Sequence, residues 1–447
     1  MRGALYKSSR QLLRLWQSQS ILSRALAPTS TAGWCRYSSA APNAPVDFEA
    51  IKAEMLSRSP QLHSDIMYPM NSYLLTRALS EFLPEECTAR QQIPRRDVYK
   101  DDGGAGSDDR EHPVLPPAHH LVYFPLDRRG SELCPDGTDP YHSPRDTPFA
   151  RRMWAGGSIR GLRGMVLDDR PALCRERIVD VDVRGSAGAE KIFVEVLREY
   201  ITGVPSRDLF DPETMRLRLR DDLADPPSSS SVDATGRDPG EHGLKGTTER
   251  RTLVFMRELS DEEKKMSLVR DRRIVKPPNK PDYSVTLTPT PTLLFHYSAL
   301  TYNAHRIHLD RSYCREVEGH PDLLVHGPLS LTLMLSVLES RLAQGGGGHH
   351  EFADGIDYRH LAPLYVGRPM RICVARHRGR NGGRRDDGRR GEEEEAAPEG
   401  QGGGKPADDG DGLEVERNKW DVWVENQDGG LCVKGTVETV KRRVLST

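Results

Sequence analysis

The sequence predicts an α+β fold in which curved antiparallel sheets surround a buried helix, and three observations support this prediction. Segments with apolar residues at every second position, the pattern of a half-buried strand, recur between residues 150 and 440. One segment near residue 335 is apolar on almost every side, as expected of a helix inside a core. The segments around 150–200 and 320–440 are both strand-rich, which indicates two copies of one fold.

The strand pattern occurs in both parts of the chain. In the first part it covers Arg177–Val183, Lys191–Val196 and the short apolar run Thr252–Met256. In the second part alternating apolar residues and one turn follow each other as Met370, Ile372 and Val374, then Trp420, Val422 and Val424, then the turn Asp428–Gly430, then Val433 and Val437. Because short turns separate such segments, antiparallel pairing is the simplest arrangement.

The buried helix is predicted over Pro328–Leu342, where leucine, valine and methionine occupy nearly the whole circumference. Pro328 suits the first turn, because its missing N–H would have no partner there. A curved antiparallel sheet around such a helix is a hot-dog fold. We therefore predict a double hot-dog: two tandem hot-dog folds, each a curved antiparallel sheet around a central helix.

Composition limits the class of protein. The 64 Lys and Arg nearly cancel the 66 Asp and Glu, so no nucleic-acid partner is expected. No apolar run approaches the roughly 18 residues needed to span a bilayer, so no membrane segment is expected either. The seven cysteines are dispersed without Cys-x-x-Cys spacing, which indicates free thiols. Because no ligand cluster or phosphate-binding loop is present, we expect neither a metal nor an organic cofactor.

The chain divides into three predicted regions. Residues 1–46 hold six basic residues and no acid, which is typical of a mitochondrial transit peptide, although a disordered basic tail is the alternative. The mitochondrial matrix is therefore the expected location. An N-terminal hot-dog domain is predicted over 47–265 and a C-terminal one over 266–447. Three segments poor in apolar residues are predicted to be disordered surface inserts: Lys100–Glu111, Pro205–Arg250 and Arg376–Gly412 (376–412).

The segment 295–329 is dense in polar groups although it lies between apolar runs. Reversible addition of water to an enoyl thioester needs an acid/base and donors that stabilise an enolate-like oxygen. His308 can exchange protons near neutral pH. The backbone N–H groups at the start of a buried helix can hold an oxyanion, and Gly327 permits close approach of a carbonyl. We assign the acid/base to His308, the oxyanion donor to Gly327 and a water-orienting amide to Asn303. Each feature alone is common elsewhere.

Two short motifs in this segment resemble those of the MaoC-like dehydratases. The run Asn303–Asp310, NAHRIHLD, aligns without a gap with the family pattern D-x-N-P-x-H-x-D. Asn303 falls on the family's catalytic Asp and His308 on its catalytic His. The run Leu324–Gly327 resembles the I-V-H-G helix entry, whose Gly donates to the thioester oxygen. Because Asn cannot act as a general base, the acid–base role falls on His308, with His305 as the lesser alternative.

The departures from that pattern resemble one subgroup, the fungal mitochondrial 3-hydroxyacyl-thioester dehydratases type 2 and the related mesaconyl-C4-CoA hydratases. Four further segments are similar to this subgroup: Phe149–Gly157, Arg250–Glu258, Asp357–Pro369 and Trp423–Thr436. The resemblance implies dehydration of (3R)-3-hydroxyacyl thioesters on acyl carrier protein in mitochondrial fatty acid synthesis. One alternative is a dicarboxylyl-CoA hydratase of the mesaconyl-C4-CoA type. Another is an inactive hot-dog module that binds thioesters, since Asn303 replaces Asp.

The resemblance also implies substrate contacts. We expect His305, Arg306 and His326 to bind the acyl thioester of acyl carrier protein or CoA. Arg152 and Trp154 either join them or have a packing role. The enzyme is expected to be a monomer with an internal double hot-dog, or a homodimer.

The N-terminal half is expected to be catalytically inactive, because it lacks an Asn-x-x-x-x-His pair. Gly156 and Gly157 either start a central helix in this half or border the acyl tunnel. Asp310 is expected to cap a helix or to orient a histidine.

Overall fold

The computed structural model describes residues 46–88, 113–202, 246–269, 274–277, 279–344, 349–377 and 415–443. The N-terminal half contains α1 (Phe48–Leu56), β1 (Gln61–Ile66), α2 (Met70–Leu79), α3 (Glu85–Thr88), 3-10 turns at His119–Val122 and Gly130–Glu132, β2 (Arg151–Arg160), β3 (Pro171–Arg184), β4 (Lys191–Ile201) and β5 (Thr248–Met256). The C-terminal half contains α4 (Asp261–Val269), β6 (Tyr283–Leu287), α5 (Pro291–Leu300), a 3-10 turn at Arg306–His308, α6 (Arg311–Glu316), α7 (Gly327–Ala343), β7 (His349–His360), β8 (Met370–Arg376), β9 (Val415–Asn426) and β10 (Leu431–Arg443).

The ten strands form one antiparallel sheet in the order β1-β3-β4-β5-β2-β7-β10-β9-β8-β6. Read from either edge, the sequence of strands is the same: first, third, fourth, fifth and second strand of that half. The two halves meet where β2 pairs with β7, in register from Gly156–Arg359 to Arg160–Gly355. We call this pairing the β2–β7 junction. The repeated order confirms the predicted double hot-dog.

Helix α7 is the centre of the C-terminal half. It packs against β6, β7, β8 and β9, and its apolar residues from Leu329 to Leu338 are buried. Burial of each large apolar side chain contributes about 1.5–3 kcal/mol to folding, so this helix is a principal part of the core. The prediction of a buried helix over Pro328–Leu342 is confirmed, with Pro328 in the first turn.

The N-terminal half is built differently inside. Between α3 and β2 its described chain, residues 113–150, forms only 3-10 turns and irregular structure. The prediction that Gly156 or Gly157 starts a central helix was wrong, because both glycines lie in β2. A Cβ on Gly156 would lie 2.5 Å from the Tyr358 carbonyl oxygen, and one on Gly157 would lie 2.0 Å from that of Arg250. These glycines let β2 fit between β5 and β7.

Charged residues are buried in this half. Glu249 is 0% exposed, and its carboxylate accepts from Arg251 Nε and Tyr200 Oη, each at 2.6 Å. Arg198 Nε lies 3.0 Å from Glu176 Oε2, and both side chains are almost fully buried. Burial raises the pKa of Glu249, but the nearby Arg251 and His120 outweigh this and hold the pKa well below its usual value. The matched charges make burial tolerable.

The predicted inserts fall mostly outside the described residues. This holds for Lys100–Glu111, for most of Pro205–Arg250 and for nearly all of Arg376–Gly412, as it does for residues 1–45 of the predicted transit peptide. Two boundaries were wrong. Thr248–Arg250 begin β5, because the buried Glu249 is paired with Arg251, which a count of apolar residues does not detect. Arg376 ends β8.

Six cysteines lie in the described part of the chain, and all six are free and buried, as expected for them. None of the helices described is both long and apolar enough to cross a membrane.

Candidate active site

A cavity of about 280 Å³ lies where the two halves meet. Its wall contains several residues from each half. The C-terminal half contributes Asn303, His305, His308, Gly327 and His360, and the N-terminal half contributes Asp139, His142, Arg152, Trp154, Glu176 and Arg251. The structure therefore brings the two predicted motifs of segment 295–329 together, and adds side chains that are distant in sequence.

Asn303 organises the chain that leads to the catalytic motif. Its backbone N–H donates to Ser298 O at 2.9 Å, just after α5 ends. Its side-chain Oδ1 accepts from the N–H of His305 at 3.0 Å, which is an Asx turn. The acceptor oxygen is thus already engaged, and the amide NH₂ is the group left to contact water or substrate.

His308 is held as a neutral base. Its Nδ1 lies 2.8 Å from Leu324 O, and because a carbonyl oxygen only accepts, Nδ1 carries the proton. No described residue bonds to Nε2, whose lone pair is then available to the cavity. Burial is the main cause that lowers the pKa of His308 to about 4; the bond to Leu324 raises it and Arg152 lowers it. The ring is therefore neutral at physiological pH.

His326 lies behind His308 and not in the cavity wall. It is 0% exposed, and its ring stacks on that of His308 at 3.7 Å between centroids and 21° between planes. Its Nε2 is 2.9 Å from Ser298 Oγ. The sequence predicted that His326 contacts the substrate directly. In the structure its ring instead supports the ring of His308.

His305 faces a carboxylate of the other half. Its Nε2 is 3.6 Å from Asp136 Oδ2, and both side chains are buried. Asp136 is held by Thr138, whose backbone N–H donates to Oδ1 at 3.0 Å. Burial, with smaller effects from His308 and Arg152, lowers the pKa of His305 well below its usual value. His305 lines the cavity, but its Nε2 already faces the Asp136 carboxylate.

Arg306, like His326, is a predicted substrate-binding residue that the structure does not bring to the cavity wall. Its guanidinium pairs with Asp310 at 2.7 Å and lies 4.4 Å over the Tyr313 ring. Asp310 also accepts from Tyr313 N at 3.0 Å and caps α6, so its predicted capping role is confirmed. Arg306 lies within the run Asn303–Asp310, but its side chain pairs with Asp310, four residues further along the chain.

Gly327 is the first residue of α7 and lines the cavity. Its backbone N–H has no partner among the described residues, as expected for the first turn of a helix. The residue is not in the left-handed region, so no special φ requires glycine here. A Cβ at this position would lie 3.2 Å from His360 Nε2 and 3.6 Å from Trp154 Cβ. The absence of a side chain keeps this space open.

Arg152 and Trp154 both line the cavity from β2. Arg152 Nη1 donates to the Asp139 carbonyl at 3.3 Å, and no carboxylate pairs with it among the described residues. Trp154 Nε1 lies 3.0 Å from Gly156 O and 3.1 Å from Tyr358 Oη, across the β2–β7 junction. Arg152 is thus placed to meet an anionic group, whereas Trp154 combines packing with a place in the wall.

Three polar residues of the wall, Asp139, His142 and Glu176, have ligand atoms within 4.8 Å of one another and are the described group best suited to a metal ion. Both carboxylates already lie beside guanidinium groups: Arg128 Nε donates to Asp139 Oδ1 at 3.1 Å, and Arg198 Nε forms an ion pair with Glu176 Oε2 at 3.0 Å. His142 Nε2 is 3.0 Å from Glu176. A cation would have to compete with these bonds. Sequence reasoning missed this cluster and His360, because no local spacing connects them.

Comparison with known proteins places this site in a family. The model of the family "Hydroxyacyl-thioester dehydratase type 2" matches residues 118–242 and 230–366, which together cover more than half of the 447 residues. The chain belongs to this family. Its predicted enzyme class, a dehydratase or hydratase acting as a carbon–oxygen lyase, is confirmed.

The individual relatives in this dehydratase family either have low sequence identity to the chain or match only a small part of it. The chain is 27% identical over 264 residues to "Hydroxyacyl-thioester dehydratase type 2, mitochondrial" of Schizosaccharomyces pombe, covering 58% of this chain and 78% of that one. It is 40% identical over 100 residues to "Mesaconyl-C(4)-CoA hydratase" of Chloroflexus aurantiacus, covering 22% of this chain and 32% of that one. A solved MaoC-like dehydratase from Phytophthora capsici superposes with a TM-score of 0.45 at 11% identity, over 86% of this chain and 96% of that one.

Proposed function

We propose that this dehydratase reversibly converts (3R)-3-hydroxyacyl thioesters into trans-2-enoyl thioesters and water, with His308 as the acid/base. One observation carries the proposal. Nδ1–H of His308 is committed to Leu324 O, which leaves Nε2 for the cavity that also receives the unpartnered N–H of Gly327. A base and an oxyanion donor next to one enclosed space are what α-proton removal from a thioester requires.

The proton transfers follow from the groups available. His308 Nε2 takes the proton from the carbon next to the thioester carbonyl, and the enolate-like oxygen is held by Gly327 N–H. Because Asn303 does not ionise, the same imidazolium returns its proton to the 3-hydroxyl as the carbon–oxygen bond breaks and water leaves. Burial makes the imidazolium a stronger acid than in water, which favours this second step. The Asn303 amide orients the leaving water.

The substrate carrier and the compartment are further parts of the proposal. We propose acyl carrier protein as the carrier, in mitochondrial fatty acid synthesis in the matrix, with residues 1–46 as the transit peptide. The support is the composition of those residues and the mitochondrial designation of the fission-yeast relative. Import assays on isolated mitochondria test the location. Loss of import after deletion of residues 1–46 is expected, and unchanged import would contradict the assignment.

Arg152 favours a second candidate, a hydratase for dicarboxylyl-CoA esters. This guanidinium lines the cavity without a carboxylate partner among the described residues, so it suits the free carboxylate of a dicarboxylyl thioester. Assays with matched straight-chain and dicarboxylyl thioesters, on both CoA and acyl carrier protein, separate the two candidates. A preference for the dicarboxylyl-CoA ester that disappears in Arg152→Gln would favour the second.

The deciding experiment measures water elimination from (3R)-3-hydroxyacyl-CoA by the wild type and by His308→Ala. His296→Ala is a matched control, because His296 is an exposed histidine on the adjacent α5. We expect turnover by wild type and control, and its loss in His308→Ala. Thioester binding without any turnover by the wild type would instead identify an inactive binding module.

A further inference from the structure

His360 has an unexplained buried nitrogen in the cavity. It is the last residue of β7, its side chain lines the cavity, and its Nε2 is buried without a hydrogen-bond partner among the described residues. A buried polar atom left unpaired destabilises the folded state, and such atoms are rare in folded proteins. An unpaired nitrogen facing a substrate cavity is therefore a candidate for a contact that forms only when substrate is bound.

The position of this nitrogen indicates which substrate atom it meets. The space that a Cβ on Gly327 would fill lies 3.2 Å from His360 Nε2 and 3.3 Å from Cε1. Nε2 thus faces the same small volume at the start of α7 where the thioester carbonyl must approach the Gly327 N–H. The ring is fixed from the side by Tyr358, edge to face at 5.8 Å and 81°.

The ring is also in a suitable protonation state. Burial lowers the pKa of His360 to about 4, so the imidazole is neutral at physiological pH. A neutral imidazole with its proton on Nε2 donates one hydrogen bond without adding a charge to the cavity. His308, held in the other tautomer by Leu324, is the proton acceptor, so the two histidines have complementary roles.

We propose that His360 Nε2–H is the second oxyanion donor and binds the thioester carbonyl oxygen beside Gly327 N–H. The inference rests on the proposed function, since it assigns a further catalytic residue to that same site. As the α-proton leaves, negative charge on the oxygen strengthens both hydrogen bonds. Loss of one such donor lowers turnover by about 10²–10³-fold.

Two variants of His360 test the donor. Glutamine places an amide NH₂ close to the position of Nε2, whereas leucine fills similar space without a donor. We expect His360→Leu to lower kcat by about 10²–10³-fold with KM changed only a few-fold, and His360→Gln to recover most of that loss. If His360→Leu does not fold, His360→Asn replaces it, because the shorter amide reaches only the position of Nδ1.

A spectroscopic measurement separates this role from packing. A trans-2-enoyl-CoA labelled with ¹³C at the carbonyl is bound to His308→Ala, which does not turn it over, and its infrared carbonyl band is recorded. The band should lie at lower wavenumber than in water. Adding His360→Leu should shift it back towards the value in water, and adding His360→Gln should not.

The outcomes distinguish the two levels of proposal. An active wild type with a carbonyl band that is the same with and without His360 overturns the second donor and leaves the proposed function standing. A wild type without turnover overturns the proposed function, while a band that responds to His360 still supports the carbonyl contact. Full kcat in His360→Leu overturns the inference.

Discussion

The two halves of this dehydratase share one strand order but fill their interiors differently. The C-terminal half encloses the long apolar helix α7, whereas the described chain at the corresponding place in the N-terminal half forms only 3-10 turns. The N-terminal half instead buries Glu249, Glu176 and Arg198, and the half-buried Arg251 pairs with Glu249. The helix start supplies the candidate oxyanion donor, so the proposed chemistry is assigned to the half that contains α7. The other half provides walls for the cavity.

The largest expected contrast between the halves is between two buried histidines. His308→Ala should lower turnover by about 10²–10⁴-fold, because it removes the proposed acid/base. His119, buried in the N-terminal half, is 2.6 Å from Ser72 Oγ and is not in the cavity wall. His119→Ala should lower the melting temperature and leave turnover per folded molecule unchanged. Steady-state kinetics and thermal melts on the same preparations decide this. A smaller loss of turnover from His308→Ala than from His119→Ala would contradict the assignment of the chemistry to the C-terminal half.

The buried charges of the N-terminal half should dominate its stability. Glu249→Ala leaves the half-buried Arg251 without its carboxylate and the buried Tyr200 hydroxyl without its acceptor, and we expect the free energy of unfolding to fall by about 3–5 kcal/mol. Glu438→Ala, which removes a partly exposed partner of Lys419, should change it by less than about 1 kcal/mol. Urea unfolding measures both. Equal effects would mean that the buried Glu249–Arg251 pair contributes no more to stability than a surface ion pair.

Gly327→Ala tests the helix start directly. The added methyl group enters the space beside His360 and displaces the thioester carbonyl, so the barrier should rise by about 2.7–4 kcal/mol. The matched control is Gly130→Ala in the N-terminal half, where a Cβ meets no atom within 4 Å. Turnover and melting temperature are measured together. If Gly327→Ala melts earlier but turns over normally per folded molecule, the glycine is structural and another donor must hold the oxygen.

The smallest expected effect is at Asn303. Asn303→Ala should lower turnover by about tenfold, since a hydrogen bond contributes about 1–1.5 kcal/mol, while Asn303→Asp keeps the oxygen that binds His305 N–H and should retain activity. The wild type should lose activity at low pH only as His308 becomes protonated, whereas the Asp variant should add a second ionisation to this limb as its carboxylate becomes protonated. A pH–rate profile of the two proteins measures this limb. Normal turnover of Asn303→Ala would remove the residue from the site.

Local sequence patterns were sufficient for the elements that depend on neighbours along the chain. The apolar circumference of Pro328–Leu342 and the alternation in β3, β8 and β9 predicted these elements, and the Asn303–His308 spacing predicted one wall of the cavity. Local sequence patterns do not predict contacts between residues that are far apart along the chain. His360 meets Gly327 only because β7 runs beside the start of α7, and Asp136 meets His305 across the halves.

Two errors have the same cause. Glu249 looked like part of a polar insert, because the arginine that makes its burial possible acts through geometry and not through composition. His326 looked like a substrate ligand because it adjoins Gly327, yet its ring stacks behind His308. In both cases the sequence shows the residue type but not the direction of the side chain.

The β2–β7 junction makes the cavity a property of the docked halves. Arg152 and Trp154 lie on β2 and His360 ends β7, so walls from both sides are brought together where the halves dock, through the pairing of Gly156–Arg160 with Gly355–Arg359 and the packing of α2 on α5 and of α3 on α7. Partial opening at this pairing would leave the hydrogen-bond ladders within each half intact and still dismantle the site. Catalytic activity is therefore a sensor of sub-global opening, and it disappears in molecules that hydrogen exchange within β3, β4, β9 and β10 would still report as folded.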